Sequence, residues 1–371
     1  MSPTHPRSSE APLPGQDSAG RGSRLLLVFE DIVHRLSTRR ADLIAAHPWV
    51  AVIERWGISV LSLTSGVVTL VIFRRGIGHF PLFIGYLLLL WLVGVVFAEA
   101  RQARAARGPK VVWRAVDYTV QTLFHGLLLF LLPVYYASTT LTSGDVLFLA
   151  LLAAGALLTA MDPWYQAVTR RAPRLEIVLF GLGLFASLNL AFPLIGIEPA
   201  AGLLASGAGS MLALLPVFRR PTDASWLAPG LRAGVCAVLV LALLWPLRGW
   251  IPPVPLRVTR ATFARAVVEL EPVQPVKSVS AAVVRDWGSL TVFTAVSAPA
   301  GLREPIFHVW SKNGTVLERI PLSPVQGGVR GGFRTYSRKA VLGEDPAGSW
   351  SVDVVTAHQQ LIGRVRLTVT P

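Results

Sequence analysis

Seven apolar stretches, near residues 56–73, 80–98, 118–137, 145–161, 176–195, 200–218 and 231–250, fill most of the first two-thirds of this 371-residue chain. Each approaches the roughly 20 residues with which a helix crosses about 30 Å of hydrocarbon. A chain so written is expected to be a membrane protein. Only 15% of its residues are charged, against about 25% in ordinary soluble domains. Prolines 81, 133, 193, 216 and 246 fall near the proposed ends, where a missing backbone donor does least damage. Tyr135, Tyr136, Trp164, Tyr165, Trp226 and Trp250 stand near those ends too, as interfacial anchors do.

The formal charge of +14 raises the question of nucleic acid, and its distribution answers it. From Ile251 onward there are 14 Lys or Arg against 8 Asp or Glu, so more than half of the excess belongs to the apolar part. There it sits in short clusters beside the apolar runs, where basic residues orient a membrane protein and meet anionic headgroups. Membrane lipids, not nucleic acid, are the expected partners. Arg101, Arg104, Arg107, Lys110 and Arg114, then Arg170, Arg171 and Arg174, then Arg219, Arg220 and Arg232 occupy alternate connections. The intervening ones hold only Arg74 and Arg75. Seven crossings with that bias put the amino terminus in the cytoplasm and everything after Trp250 outside it.

The flanking segments differ in texture. Residues 1–23, rich in Pro, Ser and Gly, are expected to be a disordered tail. Residues 24–48 place Leu25, Phe29, Ile32 and Leu36 at helical spacing beside Arg35, Arg39 and Arg40, the pattern of an amphipathic helix on the cytoplasmic face. The transmembrane domain then covers 49–250, and the proline-rich "IPPVPL" at 251–256 forms a linker. From 257 to 371 the text changes to short alternating runs: "LTVFTAV", "FHVWS", "TVLERIPL", "FRTYS", "SWSVDVV" and "RVRLTVT". Asn313-Gly314 and the glycine pairs at 327–328 and 331–332 separate them. The expected fold class is therefore membrane all-α with about seven transmembrane helices, followed by an all-β antiparallel, immunoglobulin-like sandwich.

The tail carries "ATFARAVVELEPV", "HVWSKNG", "FRTYSRK" and "GSWSVDVVTAHQQLIGRVRLTV". With these it resembles the bacterial domain of unknown function 2914. "LFLLPVYYAS" and "MDPWY" make the multi-span part similar to the domain of unknown function 5924, which often precedes that tail. The resemblance implies this two-part architecture and no particular activity. One departure is "AHQQLIG", which lacks the glycine the family usually shows in the turn before the last strand.

Candidate functional residues fall into two sets. Asp117, Gln121 and His125 recur every four residues along one face of the third stretch, and Asn189, midway through the fifth, is the natural partner. Intramembrane polar groups suggest a path or a pocket, but interhelical hydrogen bonding accounts for them equally well. The stripe Gly202, Ser206, Ser210 reads as close helix packing. In the tail, His308, Trp310, Arg334, Tyr336 and Lys339 assemble the aromatic and basic groups of a binding surface for an anionic envelope polymer or protein. Trp350 instead alternates in phase with Val352 and Val354 and is expected in the core.

No phosphate loop, paired metal ligands or nucleophile elbow occurs. The single cysteine, Cys236, allows no intrachain disulfide. The expectation is a non-catalytic protein without cofactor or metal, displaying a periplasmic binding module on the bacterial inner membrane. The alternative is a small-solute or ion permease using the intramembrane polar residues.

Overall fold

The computed structural model describes the backbone of residues 110–371, apart from 221, 341 and 344, and side chains from Phe124 onward except Asp162. These residues all belong to one compact unit. The two earliest apolar stretches, the 1–23 tail, the 24–48 helix and the side chains of Asp117 and Gln121 lie outside the described residues.

Six helices come first: α1 Lys110–Ser138, α2 Val146–Ala160, α3 Asp162–Arg171, α4 Arg174–Leu194, α5 Pro199–Ala213 and α6 Leu227–Leu247. Leu127, Leu128 and Leu131 of α1, Leu152 of α2 and Leu184 and Leu190 of α4 pack into one buried cluster. α5 lies between α4 and α6. A Cβ on its Gly202 would stand 3.3 Å from Phe192 on α4, and one on Gly207 2.6 Å from Leu244 on α6. Ser206 and Ser210 donate back to the carbonyls of Gly202 and Ser206, both at 2.6 Å, so their hydroxyls serve their own helix. The stripe is thus a packing face.

Among the described residues, the five apolar stretches from 118 onward do not all form spans. By length and composition, α4 and the stretch Leu227–Trp250 can cross a membrane, and the number among the described residues rises to three if the bent pair α2–α3 is one span. Apolar text overcounts because it does not register breaks. Pro163 follows the end of α2 and the chain turns through 106° there. Pro216 lies in the 3₁₀ turn Leu215–Phe218, beyond the end of α5. Each of α2 and α5 has 15 residues, about 22 Å of helix at 1.5 Å per residue, short of the hydrocarbon thickness. Parity counted from seven crossings falls with them.

α6 differs from α4. In the most apolar part of α4, 61% of the residues are buried, but in that of the Leu227–Trp250 stretch only 11%. Leu231, Val235, Val238, Leu239 and Leu243 are all at least 60% exposed. Directly after it, Ile251 and Val254 join the helical core while Leu256 joins a core of the β region. The proline-rich link is buried between them.

The β region holds β1 Arg257–Val268, β2 Glu271–Val276, β3 Ser278–Ser280, helix α7 Ala281–Trp287, β4 Leu290–Ser297, β5 Arg303–Glu304, β6 Ile306–Lys312, β7 Thr315–Pro321, β8 Val325–Gln326, β9 Phe333–Lys339, β10 Gly348–Thr356 and β11 Leu361–Thr370. One sheet runs β2-β1-β4-β9 and the other β3-β11-β10-β6-β7, with β5-β8 as a separate pair. Phe263 and Val292 from the first share a buried cluster with Trp310, Trp350, Val352 and Leu367 from the second. Trp350 is in the core as its alternation predicts. The immunoglobulin-like arrangement is not found. That fold builds sheets of four and three, or four and five, antiparallel strands, whereas here the five-stranded sheet includes the parallel pair β3-β11.

Local signals held. Asn313 and Gly314 take φ of 50° and 82°, the positive values a two-residue hairpin turn requires, and Lys312 faces Thr315 across it. In the turn before β11, where a glycine is missing, Gln359 adopts φ 66° and its amide bonds the carbonyl of Thr356 at 3.1 Å. A side-chain-bearing residue there tolerates a conformation that costs it roughly 1–2 kcal/mol.

Candidate functional site

The five tail residues proposed as one surface separate onto different faces. On β6, His308 and Trp310 point inward and are fully buried. Trp310 meets Phe263 edge-on at 5.7 Å and Trp350 at 6.4 Å. Its Nε1 donates to Ser337 Oγ at 2.9 Å, and that hydroxyl also lies 2.7 Å from His308 Nδ1. Thr294 Oγ1 is 3.0 Å from His308 Nε2. Every polar atom of the set is satisfied across the two sheets, which is the work of a buried specificity network. These two residues are core, not ligand contacts.

Burial pulls the His308 imidazole down from 6.5 to about 3, so the folded chain keeps it neutral where the unfolded chain takes up a proton. Stability is then full above the ordinary histidine value and falls as pH drops from about 6.5 toward about 3, by up to about 1.4 kcal/mol per pH unit. Urea denaturation of the full chain between pH 4 and 7 is expected to show that slope, and His308→Asn to flatten it.

Arg334 and Tyr336 do face outward. Neighbouring positions across β1, β4 and β9 align Arg260 with Ala295 and Arg334, and Thr262 with Phe293 and Tyr336. Glu271 ties the arginines together, 3.0 Å from Arg260 and 2.5 Å from Arg334. The Arg260 guanidinium also stands 5.4 Å from the Phe293 ring. Tyr336 is 47% exposed beside them. This is a half-exposed face of two arginines and a tyrosine around one carboxylate, with a net positive charge available to an anion. Lys339 is apart from it, bridging the open side of the two sheets to Glu318 at 2.6 Å.

Inside the helical part, Tyr135, Asn189 and His125 bond from helix to helix. Tyr135 donates to the carbonyl of Ala186 at 2.9 Å and receives Asn189 Nδ2 at 3.2 Å. His125 Nδ1 lies 3.2 Å from the carbonyl of Ala156 on α2. Asn189 therefore pairs with Tyr135, and His125 with α2. The interhelical reading accounts for both.

A third group was not singled out by its spacing. Where the helices meet the β region, Glu198, the residue before α5, contacts His358 Nε2 at 3.0 Å. His358 packs edge-on against Trp245 at 5.6 Å, and its carbonyl accepts from Arg248 Nε at 2.9 Å. Gln360 Nε2 reaches the carbonyl of Ile251 at 3.5 Å, and Arg364 extends from its pair with Asp353 to the carbonyl of Thr142 at 3.4 Å. Beside them Glu304 is wholly buried, and neither carboxylate oxygen has a partner in hydrogen-bond geometry. Burial and then the nearby Glu198 charge push Glu304 up to about 7, the amide of Ala357 opposing them. Isolated acidic and histidine letters far apart in sequence left no pattern by which to find this cluster. Among the described residues no group of three or more His, Cys, Asp or Glu is placed to hold a metal.

The chain is thus of a class in which apolar helices, some able to span a membrane, lead into a two-sheet β region. It belongs to the family of unknown function DUF5924, which matches residues 32–291, and residues 303–369 match the protein of unknown function DUF2914. The boundary between the two falls within the β region, not before it. β1 from the first match pairs with β4, which pairs with β9 from the second, and β3 pairs with β11. No curated protein and no solved structure matches the chain.

Proposed function

We propose that this protein is a multi-pass component of the bacterial inner membrane that holds its β region on the periplasmic side as a non-catalytic module binding an anionic component of the envelope. The observation that carries the reading is α6, whose bare apolar flank has lipid as its natural cover and whose carboxyl end enters the β region directly. Arg219, Arg220 and Arg232 stand at its amino end, and Arg170, Arg171 and Arg174 at that of α4. No Lys or Arg occurs between Leu175 and Phe218. The cluster before α6 favours a cytoplasmic amino end for that helix without any count of crossings.

The outer face of Arg260, Arg334 and Tyr336 is the binding surface this reading supplies. Full-length protein in nanodiscs, sedimented with purified cell-wall polymer, tests it. Retention is expected in low salt and weakened several-fold by the pair Arg260→Ala and Arg334→Ala. No retention, or retention indifferent to both changes, contradicts the reading.

A further inference from the structure

We propose that Glu304, Glu198 and His358 form a proton-sensitive latch between the β region and the helix ends, closed while the Glu304 carboxyl is protonated and loosened when it ionises. The geometry is that of a contact with one member held at a cost. Glu304 sits on the two-residue strand β5 with no exposed surface and two unpartnered oxygens. A buried carboxylate with no more than the nearby Ala357 amide to oppose its desolvation is disfavoured, so the charged form seeks water. Water reaches it only if the junction opens.

The surroundings give Glu304 no counter-charge. Glu198, on the helical side, carries the same sign. His358, charged when protonated, is turned to Glu198. Arg248 is directed to the carbonyls of His358 and Trp245, and Arg319 of β7 to that of Ala357 at 3.2 Å. Arg364 is paired with Asp353, and Arg303, next to Glu304 on β5, faces solvent. Protonation of Glu304 removes its repulsion from the Glu198 carboxylate.

The rest of the junction shows what would move. The turn holding His358 and Gln360 touches Trp245, Arg248 and Ile251, so it clasps the end of α6. If the open form exposes Glu304 to water, its carboxyl there titrates near 4.5, against about 7 when closed. The closed form is then fully favoured below about 4.5 and loses ground as pH rises to about 7, by roughly 300-fold in all. Above that it levels off.

Spin labels on Leu231→Cys and Val316→Cys, in a Cys236→Ser full chain held in nanodiscs, report the distance between α6 and the β region. A narrow distance distribution at pH 5 that broadens by pH 8 is the expected result, with Glu304→Gln, which keeps the shape of the protonated acid, narrow at both. An unchanged distribution in the parent chain between the two pH values would overturn the latch, and so would a pH response that survives in Glu304→Gln. Neither result depends on what the outer arginine face binds.

Discussion

Trp310→Ala is expected to cost about 3–5 kcal/mol, a large share of the roughly 5–15 kcal/mol by which an ordinary domain is stable. The indole has no exposed surface and touches Phe263 from one sheet and Trp350 from its own. Its removal opens a cavity at the centre of the larger β core. It also deprives Ser337 of the Nε1 donor, disturbing the hydroxyl that faces His308. Two losses therefore act together. Trp310→Phe separates them, because the ring still fills part of the space and only the donor and some volume are gone; about 1–2 kcal/mol is expected. Denaturant midpoints followed by near-ultraviolet circular dichroism decide whether the order Ala, Phe, parent holds.

Gly327→Ala is expected to be of similar severity, about 3 kcal/mol or more, by the mechanism of steric strain in a packed turn. A Cβ at this position would stand 1.6 Å from the carbonyl oxygen of Pro299 and 2.6 Å from its carbon. Backbone is not free to step aside. The amides of Gly327 and Gly328 are bonded at 3.0 Å to the carbonyls of Leu302 and Ala298, which fixes the two segments against each other. Gly331 is the control: its φ of 82° disfavours a side chain, but nothing lies within 4 Å of the added carbon. Gly331→Ala should cost only about 1–2 kcal/mol. Thermal unfolding of both variants tests the ranking, and equal losses would show that close approach is not what matters at Gly327.

What could be read from the letters follows from how local each cause is. The Asn313-Gly314 hairpin rests on two residues whose conformation is set by their own chemistry, and β10 and β11 alternate cleanly, so these were open to sequence reasoning. β2 was hidden because Pro272 and Pro275 argue against a strand. It is an edge strand, where the missing amides are least costly. The helical part failed differently. Hydropathy registers which residues avoid water but not where a helix stops: the break near Pro216 cuts the 200–218 stretch to α5, and the 145–161 stretch, ending before Pro163, is too short to cross alone. Aromatic and basic types are common on ligand faces, which is all the letters offer for setting His308 and Trp310 on one. The core that claims them is assembled from β1, β9 and β10, none of which neighbours β6 in sequence. Glu304 was least visible of all, since its burial depends on a junction between regions more than 100 residues apart at some contacts.

The central claim is that α6 carries the β region across the membrane, and topology reporters test it most directly. A reporter active only outside the cytoplasm, fused after Pro371, is expected to be active. The same reporter placed between Arg219 and Ser225, before α6, is expected to be silent. Activity at the earlier site with silence at Pro371 would put the β region inside the cell and contradict the account.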